Sequence, residues 1–101
     1  MRSNVSNLVL TIIKQNRELF GRFVNVYIFG SILDLDKIPG DIDILLVYEN
    51  YSSEVQKDLL AIRTLLEREM EMFVDLTVLS IEEEKEVSFL ERLNGRCLKL
   101  K

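Results

Sequence analysis

The chain of 101 residues contains no histidine and only one cysteine. Without histidine, neither a histidine-based catalytic triad nor a typical zinc site can be assembled. The single cysteine, Cys97, excludes an internal disulfide and suits a reducing compartment. A metal site in this chain is therefore expected to use oxygen ligands.

Long apolar runs and an excess of positive charge are also missing. No stretch approaches the roughly 18 apolar residues that a membrane helix needs, and the apolar run 8–13 is short and interrupted by Thr11, unlike the core of a signal peptide. Thirteen basic against 17 acidic residues give a net charge of −4, which disfavours direct binding to nucleic acid. We expect a cytoplasmic protein that binds no membrane, in which a metal ion or backbone N–H groups neutralise any bound polyanion.

The composition is typical of one soluble globular domain. Apolar residues make up 48% and charged residues 30% of the chain, and a chain of this length can form one hydrophobic core. No repeat, linker or low-complexity segment divides it. We predict a single domain over residues 1–101.

Two short runs with strand-like composition lie near the middle of the chain. Val26–Phe29 is β-branched and aromatic and ends at a Gly-Ser pair, and Asp41–Tyr48 again alternates as a strand. If these strands pair antiparallel, the end of the first lies beside the start of the second. The residues that would share this edge of the sheet are Gly30, Ser31, Asp41 and Asp43.

Apolar residues recur at helical spacing in three other segments. The pattern predicts helices over about Ser3–Phe20 and about Ser53–Met70, and a third from Ser80 to near Asn94. Ser53 with Gln56, and Ser80 with Glu83, have the spacing of capping boxes. The alternating tail, residues 96–101, suits either a short strand or an interface segment. The predicted fold class is therefore α+β, in two layers, with helices packed on a small mixed sheet of about three strands.

The third predicted strand, Phe73–Leu79, carries an acid inside an apolar run. Because a helix connects it to the second strand, a parallel crossover is favoured, and Asp75 then reaches the same edge as Asp41 and Asp43. An acid at such a position is more informative than one on a surface loop, because burying it unpaired is costly. The side chains on its face of the strand are Phe73, Asp75 and Thr77.

Three aspartates at one edge predict a divalent cation. Close carboxylates repel, so either one is protonated or a cation lies among them, and oxygen-only ligands suit Mg²⁺ or Mn²⁺. Gly30 permits close approach of a phosphate, to which the Ser31 hydroxyl and nearby N–H groups can donate. Metal and phosphate together indicate nucleotide chemistry. In a two-metal site, one ion activates the attacking oxygen and the other holds the leaving group.

Each of these features also has a simpler structural explanation. A Gly-Ser pair after a strand is an ordinary turn in most proteins, and paired acids often do no more than solubilise a strand end. The loop acids Asp34 and Asp36 do not form a calcium loop, because Ile38 and Leu45 stand where oxygen ligands would be needed. We interpret both loop acids as surface residues.

In combination the residues resemble a known family. Gly30-Ser31, nine intervening residues, the triplet 41–43 and a later strand aspartate are similar to the pattern of minimal nucleotidyltransferases in the DNA polymerase beta-like superfamily. The resemblance covers about residues 24–79. It implies that Gly30 and Ser31 hold the β,γ-phosphates, that Asp41 and Asp43 bind the metals, and that Asp75 is a third ligand or general base. The implied reaction transfers a nucleoside monophosphate, such as AMP from ATP, to a hydroxyl and releases pyrophosphate.

The resemblance also implies a protein partner. Small members of this family resemble the antitoxins of two-gene modules whose partner is an all-helical HEPN toxin, and some are inferred to add AMP to a toxin tyrosine. The chain leaves little surface for binding an acceptor, so we expect the acceptor or a second subunit to be supplied in trans. A second copy of the same chain, in a homo-oligomer, is one such subunit.

One segment departs from the family pattern. Ile32-Leu33-Asp34-Leu35 stands where many members have an arginine or small polar residues and a glycine, and Lys37 is the only cation nearby in the sequence. The alternative function is therefore a catalytically weak or inactive binding subunit that blocks its partner sterically.

Overall fold

A computed structural model of the chain describes residues 3–30 and 41–101. Several predictions fall outside the described residues: those for Ser31, for the segment 32–35 with Asp34, and for Asp36 and Lys37. The elements, in chain order, are α1 (Ser3–Gln15), β1 (Phe23–Phe29), β2 (Asp41–Tyr48), α2 (Ser53–Met70), β3 (Phe73–Ser80), α3 (Ile81–Val87), α4 (Phe89–Arg92) and β4 (Cys97–Lys99).

The strands form one mixed sheet in the order β3-β2-β1-β4. β1 pairs antiparallel with β2 and with β4, whereas β2 and β3 are parallel. The predicted fold class, α+β with helices on a small mixed sheet, is confirmed. The described residues contain four strands rather than about three, because the tail adds β4 beside β1.

One face of the sheet packs against α1 and α2. In β2, Ile42 and Ile44 are fully buried and point to this core, and burying such a side chain stabilises the fold by about 1.5–3 kcal/mol. Because side chains alternate along a strand, Asp41 and Asp43 must point to the opposite face. The buried residues of the core cluster are Val9, Ile12, Ile13, Phe20, Phe23, Val26, Ile28, Ile42, Ile44, Leu46, Val55, Ile62, Leu66 and Val74.

Short polar side chains cap the helices that follow β2 and β3. α2 begins at Ser53 as predicted, but its N-cap is Ser52, whose Oγ accepts a hydrogen bond from Val55 N–H at 3.3 Å. The Ser53 capping box is therefore wrong by one residue. The predicted box of Ser80 and Glu83 at the start of α3 is present with both hydrogen bonds. In the described ranges, no helix is long and apolar enough to cross a membrane.

Two helices end earlier than the apolar pattern predicts. α1 ends at Gln15 rather than near Phe20, and Asn16 Nδ2 donates a hydrogen bond to the Ile12 carbonyl at 2.8 Å. The third predicted helix is divided at Ser88, where φ is 51°. In both places apolar residues beyond the end of the helix are still buried or half-buried. The apolar pattern therefore predicted burial at these positions, but not helical conformation.

The tail forms the outer strand of the sheet. β4 pairs with the residues 27–29 of β1, and Lys101 N–H donates to the Val26 carbonyl. Lys101 Nζ also donates to the carbonyls of Phe20 and Phe23, at 2.8 and 2.6 Å. These bonds satisfy one carbonyl in the turn before β1 and one at the first residue of β1. The tail is therefore a strand that anchors the start of β1.

Candidate functional site

The predicted acids lie at the beginnings of two adjacent parallel strands. Asp41 and Asp43 are the first and third residues of β2, and Asp75 is the third residue of β3. Asp43 pairs directly with Asp75, so their strands are about 4.8 Å apart at this point and their side chains leave the same face. This spacing allows one divalent cation to contact both carboxylates.

Asp41 lies nearer the rim of the sheet, where it pairs with Phe73. Two residues along a strand span about 6.6 Å, so Asp41 is farther from Asp75 than Asp43 is. Asp41 and Asp75 are exposed, whereas Asp43 is half-buried. Asp43 is therefore the middle acid of the three and the one that links the two strands.

Gly30 contacts this middle acid from the side of β1. It follows the last residue of β1 and has a φ of +85°, in the left-handed region. A Cβ atom added to Gly30 would overlap Asp43 Oδ2 and lie 3.0 Å from Asp43 Cγ. Both the backbone conformation and the close approach to Asp43 therefore favour glycine. The edge of the sheet thus brings together Gly30, Asp41, Asp43 and Asp75.

The electrostatics of the edge centre on Asp43. Its burial raises the pKa of the Asp43 carboxyl above the usual value, and the negative charges of Asp75 and Asp41 raise that pKa further. Each cause disfavours the ionised form of Asp43. A bound cation would oppose all of them, because it favours ionised carboxylates around it.

The donor set fits a hard divalent cation. In the described part of the chain, no group of three or more histidine, cysteine, aspartate or glutamate side chains is arranged to hold a metal ion. Magnesium, however, takes one or two protein carboxylates and completes its octahedron with substrate phosphates and water. The carboxylates of the register neighbours Asp43 and Asp75 suit that role, and Mn²⁺ prefers similar ligands.

An aromatic pair borders the acids on the side of β1. Phe29 pairs with Asp43 across the antiparallel register, so the two side chains share a face. The Phe29 ring meets that of Phe89, from α4, with centroids 5.4 Å apart at 76°. The break at Ser88 starts α4 and so positions Phe89. The sequence did not single out this pair, because only the tertiary packing of α4 brings it together.

Replacing Gly30 by alanine should disturb Asp43 specifically. A non-glycine residue in the left-handed region costs about 1–2 kcal/mol, and moving the Asp43 side chain out of the overlap should add to that loss. The matched control is Gly95→Ala, because Gly95 has a φ of +79° with nothing within 4 Å of an added Cβ. Urea unfolding of both variants should show the larger loss for Gly30→Ala. Equal losses would contradict the close contact.

Residues 9–96 match the family model described as a nucleotidyltransferase domain. No curated protein sequence matches the chain significantly. Among solved structures, a candidate nucleotidyltransferase from Sulfolobus solfataricus is similar to the chain with 26% identity and a TM-score of 0.55, over 97% of this chain and 80% of that one.

Two further structures with a similar fold are toxin–antitoxin complexes. The first contains a tri-AMPylated Shewanella oneidensis HEPN toxin with its MNT antitoxin, and the matching chain is 18% identical, with a TM-score of 0.58 over 100% of this chain and 72% of that chain. The second is a mutant of the toxin–antitoxin MntA-HpeT, matched with 15% identity and a TM-score of 0.59 over 90% and 70% of the chains. At these identities the likeness shows the fold alone.

Proposed function

The chain belongs to the nucleotidyltransferase domain family, and on that premise we propose that it is a metal-dependent enzyme that transfers a nucleoside monophosphate, AMP from ATP, to a hydroxyl of a partner protein. The observation that carries this proposal is the direct pairing of Asp43 with Asp75 beside Gly30. In this proposal the chain acts as a single minimal nucleotidyltransferase domain in the cytoplasm.

Each residue of the edge has a distinct role in the proposed site. Asp43 and Asp41 would hold Mg²⁺ or Mn²⁺, and Asp75 would be a third ligand or the general base. Gly30 and Ser31 would hold the β,γ-phosphates. A bound divalent cation would neutralise phosphate charge and stabilise the attacking and leaving oxygens.

The reaction forms one bond to phosphorus and breaks another. The acceptor hydroxyl oxygen bonds to the α-phosphorus of the nucleotide, and the bond from that phosphorus to the α,β-bridging oxygen breaks. Pyrophosphate leaves with the electron pair of the broken bond. In this proposal Asp75, the register neighbour of Asp43, would take the hydroxyl proton from an acceptor that approaches from the side of β3.

The acceptor is proposed to be a HEPN-type toxin. The support is the similarity in fold to chains from two toxin–antitoxin complexes, in one of which the HEPN toxin is tri-AMPylated.

Co-expression with the protein encoded by the neighbouring gene tests this function. We expect the mass of that protein to increase by one or more AMP units, because its hydroxyl would receive AMP from cellular ATP. Intact-mass spectrometry measures the increase, and expression of the neighbour alone is the control. If the mass of the neighbouring protein is unchanged after co-expression, nucleotidyl transfer to it is contradicted.

A binding-only function is the second candidate. The observation that favours it is the composition of residues 32–35, which is more apolar and more acidic than a triphosphate site requires. In that case the chain would block its partner by contact alone. Partner inactivation without any added mass would favour this second function over the first.

A further inference from the structure

Phe73 is more exposed than the other large hydrophobic residues of the described ranges, with 77% of its surface open to solvent. It begins β3, two residues before Asp75 on the same face of the strand. The residue between them, Val74, points the other way and is buried in the core. Packing of the fold therefore does not account for a phenylalanine at this position.

The sheet order sets the direction from which an acceptor must come. Gly30 lies on the side of β1, Asp43 on β2, and Asp75 with Phe73 on β3. In phosphoryl transfer the attacking and leaving oxygens are roughly in line through phosphorus. If the β,γ-phosphates leave toward Gly30, the acceptor approaches from the opposite side, which is the side of β3.

We propose that Phe73 is an acceptor-recognition residue, whose ring contacts an apolar or aromatic side chain next to the modified hydroxyl of the partner protein. The inference rests on the proposed function, because only a transfer reaction gives the site an acceptor side. An exposed aromatic ring is suited to this role, since aromatic residues, phenylalanine among them, are enriched at protein–protein interfaces.

The charges around Phe73 define the partner's chemistry further. Between residues 67 and 75 the chain carries the acids Glu67, Glu69, Glu71 and Asp75 and one base, Arg68. Glu69, Glu71 and Asp75 are exposed. Complementary charges steer association and fix its orientation, so the acceptor segment should carry basic residues beside its apolar contact.

The experiment compares Phe73→Ala, Phe73→Tyr and wild type in transfer of labelled AMP to the purified neighbouring protein. We expect Phe73→Ala to raise KM for that protein roughly 10–100-fold, as truncation of a dominant contact does, while kcat changes little. Phe73→Tyr keeps the ring and should restore KM. Thermal unfolding with magnesium and ATP should give the same shift in all three proteins, because in this proposal the Phe73 ring contacts the acceptor and not the nucleotide.

The matched control is Leu60→Ala, which removes another exposed apolar side chain, 67% open to solvent on α2. Its KM should equal that of wild type. An unchanged KM for Phe73→Ala would overturn the inference and leave the proposed function intact. If Phe73→Ala instead loses the ATP-dependent shift in unfolding temperature, the Phe73 ring contacts the nucleobase. That result would also overturn the inference. Absence of transfer by wild type would overturn the proposed function itself.

Discussion

Asp43→Asn should abolish nucleotidyl transfer while the fold remains intact. The variant keeps the size of the side chain but removes the charge from the acid that pairs with Asp75. Metal stabilisation of the transition state is worth several kcal/mol, so a loss of about 4 kcal/mol would slow transfer about 1,000-fold. Transfer of labelled AMP to the neighbouring protein measures the effect.

The control for this variant is Glu49→Gln, which removes one negative charge just beyond the opposite end of β2. Its transfer rate should match wild type, because it changes net charge without touching the edge. Undiminished transfer by Asp43→Asn would rule out the metal-binding role of Asp43. Circular dichroism of both variants would verify the fold.

The same substitution should stabilise the protein when no divalent cation is present. Burial and the charges of Asp75 and Asp41 raise the pKa of Asp43 in the folded state, so ionised Asp43 destabilises the fold above that pKa. Asp43→Asn should raise the free energy of unfolding by no more than about 1 kcal/mol, which is the size of interactions between exposed charges. As pH falls, the gain should shrink below the folded-state pKa, where wild-type Asp43 takes up its proton, and it should disappear below the lower pKa of the unfolded state. Urea unfolding in chelator at neutral and acidic pH measures this difference.

Magnesium with ATP should raise the unfolding temperature of wild type by about 10–20 °C. A ligand at 100 times its Kd stabilises the folded state by about 2.7 kcal/mol, and each kcal/mol raises Tm by roughly 4–8 °C for a domain of this size. The expected cause is binding of the phosphates beside Gly30 and of the cation at the aspartates of the edge, with Asp43 as the central ligand. Differential scanning fluorimetry measures the shift.

Two controls test this shift: ATP in the presence of chelator, and magnesium without ATP. Each should raise the unfolding temperature less than magnesium and ATP together. Asp43→Asn should lose most of the shift, because the cation would lack its central carboxylate. If no nucleotide changes the unfolding temperature of wild type, the nucleotide site is contradicted and the binding-only function is favoured.

Local sequence signals predicted much of the frame that carries the site. The bounds of β2 and α2 are as predicted, and the Ser80–Glu83 box begins α3. The parallel pairing of β2 with β3 followed from the helix between them. These features depend on alternation of apolar residues, helix capping and the length of connections, all of which are determined by residues close together in the sequence.

Features that depend on distant contacts could not be derived in the same way. β4 forms because the tail pairs with the free edge of β1, which lies about 70 residues earlier in the chain. Antiparallel pairing predicted that Gly30 and Asp43 share an edge, but their close contact is seen only in the assembled sheet. The pair Phe29–Phe89 likewise requires the assembled fold. The roles of Asp41, Asp43, Asp75, Gly30 and Ser31 stay predictions.

The pairing of β4 with β1 has a consequence for how the sheet is completed. Ordering contacts between segments so far apart in sequence has a larger entropic cost than ordering a local hairpin, so the outer strand should be among the last parts to settle. Until then, β1 presents a row of unpaired backbone groups to its surroundings. Such a row is a template for strand exchange with a second chain, so shortening the tail would promote domain-swapped or aggregated forms.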